Sequence, residues 1–321
     1  MVGGYPRPIL LKFIVCRDMD LILWKLRKLE KLEFNGQLIK IFLKYAIFCF
    51  TIFGNLLIVF LVSINKSLHT PMYFFISQLS ISDILLTSDI APNMLHILLN
   101  NGGTITYVGC MAQFNFFCAT EASECLLLTV MSYDRYVAIC NPLRYSSIMT
   151  TAYCVILSVG SWLFSLCNGL ANTLAVSRLK FCGSNVIDHV FCDLVPFEEL
   201  ACSDTFPIKL QMFLLSIPIL YIPSTIIVIS YVKIIRAILR IPTNISRRKA
   251  FSTCSSHLTV VSIFYWTIFS VYILPTRGNS DVNKSLSLLY TVFTPMINPI
   301  IYSFKNTDIK KAAQDIVDKK I

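Results

Sequence analysis

Seven apolar runs, each long enough to cross a bilayer, recur along the chain with only short polar connections between them. They fall at roughly 38–64, 72–99, 108–139, 152–176, 208–240, 251–275 and 284–304. Lipid supplies no hydrogen-bond partner to the backbone, so each run must be a helix; barrel strands need only about ten residues. A chain that is 55% hydrophobic and 14% charged over 321 residues is too apolar for a water-soluble fold. The expected fold is an all-α membrane protein, a seven-transmembrane-helix bundle over 38–304. A tail at 1–37 precedes it, and a short amphipathic C-terminal helix at 305–321 follows.

Charge sets the expected orientation. The connections after the first, third and fifth runs, with the C-terminal tail, carry Lys66, Arg144, Arg236, Arg240, Arg247, Arg248, Lys249, Lys305, Lys310, Lys311, Lys319 and Lys320. The opposite loops carry only Arg178, Lys180, Lys209, Arg277 and Lys284. The positive-inside rule then places the C-terminus in the cytosol and the N-terminus outside a plasma membrane. The tail runs against this bias, with Arg7, Lys12, Arg17, Lys25, Arg27, Lys28 and Lys31. Its apolar stretch at 9–15 is interrupted by Lys12 and lacks a cleavage pattern, so the first run is expected to act as its own insertion signal. Ile22, Leu26, Leu29 and Leu32 fall at helical spacing among basic residues, which reads as a surface-lying helix or as a tail without function.

The cysteines divide by place. Cys49, Cys118, Cys125, Cys140, Cys154, Cys167 and Cys254 lie in or beside apolar runs and read as small packing residues. Cys110, Cys182, Cys192 and Cys202 fall on the side assigned to an oxidising compartment, where three pairings are open. Any of them would tie the loop before the fifth run over the bundle's mouth. A zinc site is disfavoured, because no CxxC element occurs and His189 is the one histidine nearby.

The third run ends in Met131-Ser132-Tyr133-Asp134-Arg135-Tyr136-Val137-Ala138-Ile139-Cys140-Asn141-Pro142-Leu143-Arg144-Tyr145. Arginine cannot be deprotonated in a protein, so this places a permanent cation at the edge of the hydrocarbon. Other motifs are Gly54-Asn55, Leu68-His69-Thr70-Pro71-Met72-Tyr73-Phe74-Phe75, Leu79-Ser80 with Asp83, and Ser230-Tyr231. Further along come Lys249-Ala250-Phe251-Ser252-Thr253-Cys254-Ser255-Ser256-His257-Leu258 and Pro295-Met296-Ile297-Asn298-Pro299-Ile300-Ile301-Tyr302-Ser303. Asp-Arg-Tyr alone is a weak signal. Together, over about 250 residues, the set resembles the odorant receptors of the rhodopsin-like G-protein-coupled family.

The resemblance implies that Cys110 pairs with Cys192, and Cys182 with Cys202. It implies a small-molecule odorant outside, a heterotrimeric G protein of the stimulatory olfactory type inside, and cyclic AMP as the output. Asp134, Arg135, Tyr136, Tyr231, Arg236, Lys249, Asn298, Pro299 and Tyr302 are the implied coupling and switch residues. Many rhodopsin-like receptors restrain the arginine with an acid on the sixth helix, but the matching stretch here is Arg247-Arg248-Lys249. Asp134 is therefore expected to be the resting partner of Arg135, with the basic stretch either meeting an acidic G-protein surface or serving as a solvated flank. Asn55, Asp83, Glu124 and Asn298 are costly in lipid unless they meet one another, and read as a switch network or as plain helix glue. Asp83 with Glu124 is also where a sodium ion would sit. Pro299 is expected to loosen the seventh helix and free Tyr302 to swing.

For the ligand, Phe114, Phe117, Cys118, Glu121 and Glu124 recur at three- and four-residue spacing on one face of the third helix. Two ionised glutamates there would repel without solvation, so at least one is expected to be protonated, or the two share a cation or water. Glu121 stands where the resemblance leads one to expect a small residue. It is either an anchor for a hydrogen-bond donor or amine on the odorant, or a packed, protonated acid. By family position, Leu215, Ser216, Tyr265, Ile268, Phe269, Tyr272, Leu288 and Thr291 join the pocket, which suits a small and mostly hydrophobic ligand.

In the tail, Ile309, Ala312, Ala313, Ile316 and Val317 share one face, with Asn306 or Thr307 able to cap the start, as in a helix lying on the membrane lipid. Asn283-Lys284-Ser285 is the one glycosylation sequon on the outer side. No phosphate-binding glycine loop, HExxH or nucleophile with a base is visible, so neither an enzyme nor a cofactor is expected, and no nucleic-acid partner. A transporter or channel is the competing class; it would require repeats or paired half-helices, and none is found between the halves.

Overall fold

The computed structural model describes residues 9–11, 36–100, 102–182, 185–273 and 286–318. Seven long helical rods dominate them: α1 (Gly36–Ile64), α2 (Pro71–Leu99), α3 (Tyr107–Cys140), α4 (Thr151–Val176), α5 (Phe206–Leu239), α6 (Asn244–Ile273) and α7 (286–305). An eighth helix, α8 (Thr307–Asp318), follows. The first five rods contain stretches long and apolar enough to cross a membrane. In α6 and α7 the apolar character is diluted by side chains that the interior buries: Ser256, His257 and Thr267 in one, Ser287, Thr291, Thr294 and Asn298 in the other.

The rods are apolar on the surface as well as in the core, and polar side chains are buried among the apolar ones. Phe53 and Phe60 of α1, Ile156 and Leu163 of α4, and Val228 and Leu239 of α5 are exposed, whereas Asn55, Asp83, Glu124, Ser132 and Asp134 are buried. That surface would be a severe aggregation patch in water and is ordinary in lipid. α3 is the hub, packing against α2, α4, α5 and α6.

Local sequence explains the ends. Thr106 accepts from the Gly109 amide at 3.1 Å to cap α3, Thr150 accepts from the Tyr153 amide at 3.3 Å to cap α4, and Pro71 opens α2. Pro218 lies in a π-helical turn, Ile217–Tyr221, that interrupts α5. A second π turn, Leu289–Phe293, interrupts α7. Two glycines mark close approaches. A Cβ on Gly54 would sit 3.2 Å from Pro299, and one on Gly169 would sit 2.8 Å from the Asn115 carbonyl oxygen on α3.

Three short strands trim the end of the bundle that carries the disulfides. β1 (Ile9–Leu11) pairs antiparallel with β2 (Gly103–Ile105) and parallel with β3 (Val186–Ile187). Gly102, at φ 137°, makes the turn into β2. A piece of the N-terminal segment is thus stitched to the loops between rods; the amphipathic pattern at 21–32 lies outside the described residues.

At the opposite end, Asn306 starts α8 by accepting from the Asp308 and Ile309 amides at 3.0 and 3.4 Å. Ile309 and Ala312 are buried against the bundle. The Tyr73 hydroxyl lies 2.9 Å from Asn306 Oδ1 and 2.8 Å from Asp308 Oδ2, one proton shared between two acceptors. Tyr73→Phe should therefore loosen α8 without unfolding the bundle. A hydrogen bond worth about 1 kcal/mol corresponds to a roughly fivefold rise in amide exchange over 307–318. Unchanged exchange there would show that the hydroxyl does not hold the helix.

Candidate functional site: a covered cavity and an arginine pair

The loop between α4 and α5 is folded into a lid. Disulfides join Cys110 at the start of α3 to Cys192, and Cys182 to Cys202, with Cα separations of 5.6 and 5.7 Å. Gln113 of α3 accepts from the Cys192 amide at 3.1 Å and donates to the Asp89 carbonyl of α2 at 3.1 Å, so loop, α3 and α2 are held by one side chain. Phe191 and Phe197 are fully buried. Phe197 meets Phe114 at 5.5 Å between ring centroids, Phe191 meets Phe117 at 5.0 Å, and Tyr290 of α7 lies 5.8 Å from Phe117. His189 contacts the Phe191 carbonyl and the Ser287 hydroxyl of α7 at 3.1 and 3.3 Å.

Beneath the lid is a cavity of about 320 Å³, at the small end of the range for ligand sites. α3 contributes Phe114, Phe117, Cys118, Glu121, Ala122 and Cys125; α4 contributes Asn168 and Asn172; α5 contributes Lys209, Met212, Phe213, Leu215, Ser216, Ile219, Leu220 and Tyr221. The lid adds Asp193, Leu194 and Glu198, and α6 adds Ile268. The π turn supplies Ile219, Leu220 and Tyr221 to the wall. Asp193 caps the short lid helix Leu194–Leu200 by accepting from the Leu194 amide at 2.7 Å. Burial pushes the Asp193 carboxyl above its ordinary range, and nearby His189 draws it partly back. Glu198 and Lys209 form an ion pair at 3.2 Å on the rim.

Of the residues expected to face a ligand, Phe114, Phe117, Cys118, Glu121, Leu215, Ser216 and Ile268 border this cavity. Tyr265, Phe269, Leu288 and Thr291 do not. Leu288 packs under the lid, Thr291 bonds the Ser287 carbonyl at 2.8 Å, and Tyr265 and Phe269 pack on one another, with ring centroids 6.2 Å apart. The side chain of Tyr272 and the sequon at Asn283 lie outside the described residues. Sequence reasoning missed the α4 wall, though Asn168 and Asn172, four apart in an apolar helix, were a readable signal. It also missed the lid acids, for which no periodicity gave a clue.

Below the cavity the interior polar groups divide. Asn298 donates to both oxygens of Asp83, at 3.1 and 3.0 Å. Asn55 instead donates to the carbonyls of Thr51 and Pro295, both at 3.1 Å, tying α1 to α7 through backbone rather than through Asp83. Glu124 is buried, and its Oε1 has no partner among the described residues.

At the far end of α3, Asp134 is fully buried and both of its oxygens are taken. Arg135 Nε donates to Oδ2 at 2.8 Å, reinforced by a terminal guanidinium nitrogen, while the Tyr145 hydroxyl donates to Oδ1 at 2.8 Å. Burial and the Asp134 carboxylate push the Tyr145 hydroxyl well above its ordinary range, so it stays a donor. Tyr231 is buried and its hydroxyl meets His257 Nδ1; Tyr302 is buried too, so neither is presented at the surface in this state. The Lys233 ammonium lies 5.3 Å from the Tyr136 ring centroid. Arg236 is exposed, Arg247 donates to the Ile241 carbonyl at 3.0 Å, and the Lys249 side chain is outside the described residues. Pro299 of α7 packs against Gly54 of α1.

A lidded cavity at one end of a membrane bundle and a neutralised arginine at the other mark a receptor more than a pore, and comparison with known proteins agrees. The family model described as "Olfactory receptor" matches residues 44–320. The chain is 44% identical to rat "Olfactory receptor-like protein I9" over 86% of its own length and 88% of that protein's. It is 44% identical to human "Olfactory receptor 11L1" over 90% and 89% of the two chains, and 46% identical to mouse "Olfactory receptor 5G9" over 87% and 90%. These are multi-pass membrane receptors for small-molecule odorants, coupled to G proteins and not enzymes. The chain belongs to the olfactory receptor family.

Proposed function

We propose that a small, mostly hydrophobic odorant seated in the cavity between α3, α4 and α5 activates a heterotrimeric G protein of the stimulatory olfactory type and raises cyclic AMP. The bundle then stands in the plasma membrane with 1–37 outside and 305–321 on the cytosolic leaflet, where the basic loops and α8 face anionic lipid. The single observation behind this reading is that one unbroken helix, the 34-residue α3, carries cavity-wall residues near one end and the Asp134–Arg135 pair at the other.

The chemistry follows from differential affinity. An odorant that fits a second arrangement of the α3–α5–α6 packing better than the resting one shifts the population by that difference. Parting of the α5 and α6 ends would break the Tyr231–His257 contact and free Arg135 from Asp134. Arg135, Tyr231, Arg236 and Lys249 would then meet the terminal helix of the G protein, which docks by its face in a groove. Asp83 and Asn298, with Pro299 and Tyr302 beside them, are the interior element with two arrangements; a sodium ion at Asp83 and Glu124 would favour one. Tyr265, Phe269, Tyr272, Leu288 and Thr291 would contact an odorant only after the lid aromatics shift.

Arg135→Ala should leave odorant binding intact while cutting ligand-driven cyclic AMP about tenfold or more at equal surface expression, the scale of a coupling energy of 1–3 kcal/mol. A normal dose response from Arg135→Ala would overturn the coupling assignment.

A further inference from the structure

The cavity wall is rich in acids and short of cations. Asn172 Nδ2 is used on Asn168 Oδ1 at 2.9 Å, Asn168 Nδ2 on the Leu215 carbonyl at 3.4 Å, and the Ser216 hydroxyl on the Phe213 carbonyl at 2.7 Å. Lys209 is committed to Glu198. Among the described residues, the donors left to the cavity are the second N–H of each asparagine amide, the weak Cys118 thiol and the Tyr221 hydroxyl at the exposed edge, all of them uncharged. Against these stands Glu121, which makes no hydrogen bond or ion pair among the described residues. It is partly exposed and borders the cavity. Asp193 spends one oxygen on the Leu194 amide and has a second, and Asn172 Oδ1 is buried with no donor among the described residues. Glu121 and Asp193 border the same cavity, one from α3 and the other from the lid. Among the described residues lining the cavity, the acids Glu121, Asp193 and Glu198 stand against the single ammonium of Lys209, with His189 near Asp193 outside the lining.

An apolar occupant would leave this surplus unpaired, and a carboxylate would worsen it. An alcohol supplies one donor and no charge. A protonated amine supplies several donors and the missing positive charge, and carries them on an apolar body that the rest of the wall accepts. We propose that the cavity selects a small protonated amine, its ammonium seated between Glu121 and Asp193 and its hydrocarbon portion against Phe114, Met212, Ile219 and Ile268. The inference rests on the reading of this cavity as the odorant site, and concerns its ligand class.

The test uses the full-length receptor, purified in detergent at neutral pH, with straight-chain primary amines of four to eight carbons, the alcohols of equal length and the matching carboxylic acids. Thermal stabilisation reports binding. The best amine should act at a concentration about tenfold or more below that of its alcohol, one charge-assisted contact in an enclosed site, and the acids should not bind. Glu121→Gln should collapse the amine-to-alcohol ratio to about twofold or less, while Glu121→Asp, which keeps the charge, should retain a preference and guards against a folding artefact. Equal binding of amines and alcohols across the series, no binding of any amine, or a ratio unchanged in Glu121→Gln would overturn the proposal. The same compounds on cells with a cyclic AMP reporter separate the two claims. Amines that bind without signalling count against the coupling reading, whereas alcohols that signal where amines do not count against the amine.

Discussion

Cells expressing Cys192→Ser are expected to carry little receptor at their surface and to ignore every ligand that activates the unaltered chain. Cys192 lies between Phe191, which packs on Phe117, and Asp193, which borders the cavity. Its bond to Cys110 closes 82 residues of chain and pins the lid to the first turn of α3. Without it the Gln113 hydrogen bond and the aromatic contacts must hold the loop alone, and losing such a native bond costs about 2–5 kcal/mol. Because one bond is shared by two residues, Cys110→Ser with Cys192→Ser should be no worse than either change alone. Cys182→Ser should be milder, since the Cys182–Cys202 bond closes only 20 residues at the rim. Flow cytometry of an extracellular tag, paired with dose–response curves, checks each statement. A Cys192→Ser receptor at normal surface level with an unchanged response would contradict the role given to the lid.

Two glycines of α4 offer a matched comparison. An alanine at Gly169 would place its Cβ 2.8 Å from the Asn115 carbonyl oxygen and 3.1 Å from Ala119, and backbone cannot swing aside as a side chain can. α4 must then move off α3, an overpacking that costs about 1–3 kcal/mol in a well-packed interior. Asn168 and Asn172 flank that contact and form the α4 wall, so the cavity deforms as well. At Gly160 a Cβ meets nothing within 4 Å among the described residues. Gly160→Ala should lie within about 0.5 kcal/mol of the unaltered protein, or be slightly stabilising through better helix propensity. Thermal denaturation of the purified variants reads the difference. Equal melting temperatures for Gly169→Ala and Gly160→Ala would show that the α3–α4 crossing is not tight.

The fold was legible because lipid leaves few choices. A run at 152–176 has to become a helix, and it does so as Thr151–Val176; the first run, read as 38–64, is Gly36–Ile64. The Asp83–Asn298 contact could be anticipated since each group is costly alone, whereas the bond from Asn55 to the Pro295 carbonyl could not, because backbone acceptors leave no mark in sequence. On α3, helical spacing brought Phe114, Cys118 and Glu121 to one face. Which neighbours complete the cavity depends on how the rods pack and on the lid's path. The aromatic contacts of Phe117, Phe191 and Tyr290 separate the α7 side from the space beside α4 and α5. The strand at Ile9–Leu11 escaped notice for a related reason: its partners, at Gly103–Ile105 and Val186–Ile187, are distant in sequence and supply only short edges.

The most direct measurement is nucleotide exchange by the receptor reconstituted in lipid nanodiscs with a purified stimulatory G protein. Addition of a ligand that thermally stabilises the receptor should accelerate uptake of a non-hydrolysable GTP analogue, and the acceleration should vanish in Arg135→Ala. A receptor that binds the ligand tightly yet leaves the exchange rate unchanged would contradict the link between the cavity and the Asp134–Arg135 end of α3.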